Sequence, residues 1–172
     1  YGIPEGGHNG SSAIVGKREL HEVFLPPFKS AIDAGALSVM TAYNSIDGIP
    51  CTSNEELLTG VLHNDWKFKG FTISDLISID GLMENHHVTA SLEDAASLSI
   101  KAGVDVDLGG NAFAKLEEAV KNGKVNINQI DTAVYRVLKL KFDMGLFDNP
   151  YVNPQKAKEN VRTKEHIALA RR

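Results

Sequence analysis

Cysteine is all but missing from this 172-residue sequence. Cys51 stands alone, so no disulfide can form within the chain and no cysteine-rich zinc site can be built, while reducing and oxidising compartments both stay open. A basic excess is missing too. Eighteen Lys and Arg against 22 Asp and Glu leave a net charge of -4, which supplies no surface for tracking phosphates and argues against a nucleic-acid partner. No apolar run approaches the roughly 18 residues of a membrane helix. The opening "YGIPEGGHNG" lacks the charged and apolar regions of an export signal, and no membrane partner is expected. There is no starting Met, and the chain opens inside a Gly-rich loop. The expectation is a piece of a longer protein, with the missing segments of its own parent chain as partners and any export signal upstream.

What is present is ordinary globular material, 42% hydrophobic and 23% charged, enough for one sizeable core and unlike disordered or collagen-like chains. Residues 1–16, rich in glycine, read as a surface loop. From Lys17 to Ala34, apolar residues recur at helical spacing, with Pro26 and Pro27 starting a new helix or kinking the first, and Gly35 as the stop. "ALSVMTAYN" reads as a strand buried on both faces, followed by a turn cluster at Asn44 to Gly48. Ser53 or Asn54 should cap a helix bearing Leu57, Leu58, Val61 and Leu62. Strand "FTISD", helix Leu92 to Ala102, strand "VDVDL" and helices over 112–122 and 127–142 follow.

This alternation with short connections predicts an α/β fold, parallel strands with helical crossovers, matching part of a TIM-like barrel or of an open sheet. The strands counted here cannot close an eight-stranded barrel. If these residues are the whole folded object, an incomplete barrel or an assembly covering the open edge is expected. After Gly145, "LFDNPYVNPQKAKEN" reads as a domain exit, and "TKEHIALARR" begins a helix.

In parallel α/β folds, ligands gather outside the carboxyl ends of the strands. Asp75 and Tyr43 stand at such ends, as do Asp105 and Asp107. A carboxylate there could be a nucleophile, a general base, a metal ligand or a phosphate acceptor, or Asp75 could simply cap a helix starting near Ile77. Asp105 and Asp107 share a strand face, but without companion acidic or His residues they read as a polar strand end or a salt bridge, not a metal pair. His86 and His87 lie in a loop and lack the helical spacing of a zinc pair, reading as solvated or rim residues. "EGGHNG" lacks the spacing of a phosphate loop. Asn9-Gly10-Ser11 is a glycosylation triplet, meaningful only in a secreted eukaryotic protein. Trp66 and Phe68 read as packing residues.

Taken together, "YGIPEGG", "RELHEVFLPPFKSAIDAGALSVMTAYNSIDGIPCTSNEELLTGVL", "DWKFKGFTISD", "AGVDVDL" and "LKLKFDMGLFDNPY" resemble, in order, successive blocks of glycoside hydrolase family 3, the β-glucosidase and β-xylosidase family. The resemblance implies that residues 1–150 are the C-terminal portion of an N-terminal (β/α)8-type barrel domain. Residues 151–172 would be a linker and the incomplete start of a following α/β sandwich domain. It also implies Asp75 as catalytic nucleophile, with Met40 and Tyr43 lining the sugar site. A retaining, exo-acting hydrolase releasing terminal β-linked sugars from an oligosaccharide or β-glycoside would need no metal and no cofactor. The family's acid/base residue usually comes from the following domain, and its sugar-gripping Lys-His pair lies just before Tyr1, so this chain alone should be inactive. Glu5 and Arg18 fall in blocks near the family's site as supporting residues. Leu76 occupies a position often held by Trp in relatives, which leaves sugar preference open. A periplasmic or secreted location follows by resemblance only. The alternatives are a non-catalytic sugar-binding or structural scaffold and, less favoured, a phospho-receiver domain, for which the N-terminal acidic pair is lacking.

Overall fold

The computed structural model describes residues 4–172. Strand β1 (Ser12–Ala13) pairs in parallel with β3 (Ser45–Ile46), which turns back as antiparallel β4 (Ile49–Pro50). Asp47 and Gly48 make that turn with φ of 48° and 84°, the two-residue hairpin geometry that matches strand twist. In a second sheet, β2 (Ser38–Met40) pairs in parallel with β5 (Phe71–Ile73), and Ile73 bridges in parallel to Val106. The strand segments read from sequence thus lie side by side, in chain order.

Helix α1 covers residues 17–33 and passes through a wide π-type turn at Leu20–Phe24 before continuing as Leu25–Asp33. The wide turn falls where Pro26 and Pro27 enter: neither has an N–H to give the preceding turn, and regular pitch would press the rings on carbonyls four residues back. Helix α2 (Glu56–Asp65) is capped by Asn54, whose Oδ1 accepts from Leu57 N at 3.1 Å, so Asn54 is the cap. Helix α3 is one turn (Gly81–Glu84); α4 (Leu92–Ala102) starts at Ser91, whose Oγ accepts from Asp94 N, and ends at Gly103. A 3-10 turn (Ala112–Lys115) leads into α5 (Leu116–Lys121), and α6 (Ile127–Asp143) follows.

The core forms where helices meet the backs of the strands. Leu25, Leu57 and Val61 pack with Ala13, Ile46 and Cys51; Ile79, Leu82, Ala95 and Val104 form a second cluster, and Ile100, Ala119 and Val125 a third. Each Ile or Leu fully removed from water, such as Ile79 and Leu82, contributes about 1.5–3 kcal/mol. Gly70 sets the spacing of β2 and β5: a Cβ there would lie 2.0 Å from the Leu37 carbonyl oxygen.

Two expectations need correction. The run "ALSVMTAYN" is not buried on both faces, for Leu37 is 50% and Met40 52% exposed. Among the described residues, the outer edge of β2 has no partner strand. Nor is 1–16 loop throughout, since Ala13 enters the core on β1.

Residues through Leu140 form one compact unit and 141–172 another. In the latter, the Phe142 and Phe147 rings lie 4.4 Å apart. Helices α7 (Pro154–Asn160) and α8 (Lys164–Ala170) are capped by Asn153 and Thr163, and neither contains a buried residue. The Pro- and Asn-rich exit therefore contains a helix, because Asn153 offers a cap and Pro154 supplies a preset first turn.

Candidate active site

Burial alternates through the end of β5: Thr72 and Ser74 are buried, whereas Phe71, Ile73 and Asp75 are partly exposed on the opposite face. Ser74 fixes the register by donating its N–H to Val106 O at 2.9 Å and accepting from Leu108 N through Oγ at 2.9 Å. Asp75 is carried to the rim just past the strand. Its Oδ1 accepts from Leu76 N at 2.7 Å, and the chain then runs as turns until α3. Asp75 therefore caps no helix, and the amphipathic helix read near Ile77 is replaced by a turn in which Ile77 has φ of 61°.

Tyr43 reaches the same rim from beyond β2. Its hydroxyl donates to Leu76 O at 2.8 Å. Its pKa is raised, first by desolvation and then by the neighbouring Asp75 carboxylate. His86 steadies this arrangement: only its Nε2–H can donate to the Tyr43 carbonyl, 2.8 Å away. A pocket of about 280 Å³ beside Tyr43 is lined by Asn9, Gly10, Ser78, Gly81, Asn85 and His86, all neutral or weakly basic hydrogen-bonding groups. Met40 stands across from Ile73 in the strand register, two residues short of Asp75.

The other aspartates divide. Asp105 is sealed in, accepting from Thr72 N at 2.8 Å and pairing with Arg136 at 2.9 Å, so it is the salt bridge read from sequence. Desolvation nevertheless raises its pKa, outweighing the lowering by Thr72 N–H and Arg136. Asp107 instead accepts from Phe113 N at 3.2 Å, and its pKa is raised by desolvation despite that bond, with the charge of Asp80 adding to the rise. Among the described residues, no group of three or more His, Cys, Asp or Glu could hold a metal ion. His87 bonds Met83 O, Trp66 packs on the first core cluster, and Phe68 is buried. Arg18 pairs with Glu22 on the surface, and Glu5 lies in an exposed turn.

The sequence reading missed Asp80, which is 3% exposed and accepts from Asn111 N, Asn111 Nδ2 and Ala112 N. The one available signal was an acidic residue among the apolar positions of "ISIDGLM", where an unpaired charge would be costly.

The model of the glycosyl hydrolase family 3 N-terminal domain matches residues 2–140, and the chain belongs to this family. It is 41% identical over 152 residues to a periplasmic beta-glucosidase of Salmonella typhimurium, covering 88% of the chain and 20% of that protein. A putative beta-xylosidase of Formosa agariphila is 39% identical over 173 residues, covering 99% and 23%. The crystal structure of a beta-glucosidase from Listeria innocua in complex with glucose is similar with a TM-score of 0.88 and 36% identity, covering 95% of this chain and 22% of that one. The chain thus spans about a fifth of the length of these relatives. The motif resemblance and the fold class are borne out: the parallel strands and their helices are part of a TIM-like barrel.

Proposed function

We propose that the full-length protein carrying this chain is a retaining, exo-acting glycoside hydrolase of the β-glucosidase and β-xylosidase type, with Asp75 as nucleophile. The observation that carries this reading is Asp75 at the carboxyl end of a parallel strand, with the Tyr43 hydroxyl bonded to the carbonyl of the residue that follows it. The Asp75 carboxylate attacks the anomeric carbon, a glycosyl ester forms, and the bond to the leaving oxygen breaks as that oxygen takes a proton from an acid group. Water, deprotonated by the same group, then releases the sugar. Tyr43 holds the Leu76 carbonyl, and with it the backbone that follows the carboxylate, and Met40 gives the sugar an apolar contact.

The second carboxyl of such a mechanism lies roughly 5–5.5 Å from the nucleophile. In this reading it is supplied from outside residues 1–172, so the chain alone does not turn over substrate. Residues 1–150 are the later part of the barrel and 151–172 lead out of it, a division supported by the end of the family match at residue 140. A periplasmic or secreted setting is supported by the Salmonella relative's description as periplasmic.

Peptide mapping of the full-length protein after incubation with 2-deoxy-2-fluoro β-glucosides and β-xylosides tests the mechanism. A sugar adduct on the peptide containing Asp75 is expected. A folded protein that forms no adduct with either reagent refutes this reading and leaves a sugar-binding scaffold.

A further inference from the structure

The segment bearing Asp75 is joined to the loop after the next strand at successive points. Ser74 N–H donates to Val106 O, Leu108 N–H to Ser74 Oγ, and Ile77 N–H to Leu108 O at 2.9 Å. The last tie is Asp80. Its two oxygens take Asn111 N at 3.0 Å, Ala112 N at 3.0 Å and Asn111 Nδ2 at 3.3 Å. Asp107 accepts from Phe113 N nearby, so the two carboxylates flank the start of the same helical turn. The fit there is close: a Cβ on Gly110 would stand 2.5 Å from Asp107 Oδ1 and 2.7 Å from Asp80 Oδ1.

Between the ties sits Ile77, a β-branched residue at φ 61°, a backbone region that such side chains rarely occupy because the branched Cβ crowds its own carbonyl. It is half exposed, so side-chain packing does not hold it there. Such strain persists only where the surroundings over-determine it. The surroundings here are the Leu108 carbonyl on one side and the Asp80 anchor three residues on.

We propose that Asp80 is a positioning residue for Asp75. By fixing residues 111 and 112, it holds Leu108 where its carbonyl pins the left-handed Ile77 turn, and this turn aims the Asp75 carboxylate from the strand end. The inference rests on the proposed hydrolase activity for its kinetic consequence, but the mechanical coupling is independent of it.

The test uses the full-length protein, with Asp80→Asn, Ile77→Gly and the double variant. Hydrogen exchange comes first. In Asp80→Asn, faster exchange is expected at Ile77 and Leu108 as well as at Asn111 and Ala112. A loss confined to 111–121 would make Asp80 a helix cap only and overturn the proposal, whether or not the protein hydrolyses glycosides. In kinetics, a misplaced nucleophile should lower kcat by about tenfold to a hundredfold with KM within about twofold. Ile77→Gly in the Asp80→Asn background should restore part of kcat, because glycine adopts this φ without strain. A folded Asp80→Asn protein with unchanged kcat, or a loss that Ile77→Gly does not restore, overturns the proposal. A wild-type protein with no hydrolysis, yet with the expected exchange pattern, refutes the proposed function and leaves the coupling standing.

Discussion

Asp75 and Asp105 are the same side chain on neighbouring parallel strands, and the fold treats them in opposite ways. Asp75 stands at the rim, its carboxylate held by the N–H of the next residue, whose carbonyl accepts from the Tyr43 hydroxyl. Asp105 lies on the following strand segment with a side chain only 2% exposed, paired with Arg136 and tied to Thr72. One carboxylate is left where a ligand can reach it, and the other is spent on joining a strand to a helix. The difference lies in the partners each meets: Arg136 and the Thr72 N–H close over Asp105, while Asp75 stays partly exposed.

The sharpest way to separate the two is Asp75→Asn. If the full-length protein is the proposed hydrolase, its kcat should fall by several orders of magnitude, with folding stability unchanged within about 0.5 kcal/mol, since the site is at the surface. Turnover near wild type would end the distinction. Arg136→Ala is the converse: it leaves Asp105 buried without its cation and should cost roughly 3–5 kcal/mol in chemical denaturation, with little effect on KM.

Next comes His63 on α2, whose pKa is lowered to about 4, first by burial and then by the charge of Arg136. The folded state favours neutral imidazole. The contribution is therefore fully present above the unfolded value near 6.5 and is lost as pH falls from there through about 4. In His63→Phe, the acid-side loss of stability over that window should be shallower than in wild type. An unchanged slope would show that His63 is not the group responsible.

The smallest effect expected is that of Tyr43→Phe. The Leu76 carbonyl it frees stays within reach of water, so stability should change by about 0.5–1.5 kcal/mol. A lost contact of that size beside the proposed nucleophile should lower kcat/KM by about tenfold. A larger stability loss would mean that the rim, too, is structural.

Much of this contrast was legible before the structure. The apolar run before Asp75 marked β5, and the helices over Leu57, Leu92 and Ile127 were visible from their apolar spacing, with a cap read before the first and Gly103 after the second. Asp75 stood out because a strand ended on it. What could not be read depends on partners distant in sequence. Asp80 lies 31 positions from Asn111, and Ile77 adopts a backbone shape that its own side chain disfavours. The exposure of β2 was misread for a related reason: apolar composition records which face a strand would bury, not whether a partner lies against it. The helix at Pro154 was hidden under a loop-like composition, although its Asn-Pro start was a usable signal.

The chain-order arrangement of β2, β5 and the Val106 segment bears on synthesis. Strand β5 is bonded to β2, which is made before it, and Leu57 and Val61 of α2 between them pack on Ala13, Leu25 and Ile46, which have already emerged. As the polypeptide leaves the ribosome, β5 and α2 find their partners already made, whereas α4 waits for Val104 and Ala112. A side chain at Gly70 would block the step that sets β5 against β2, because its Cβ would meet the Leu37 carbonyl.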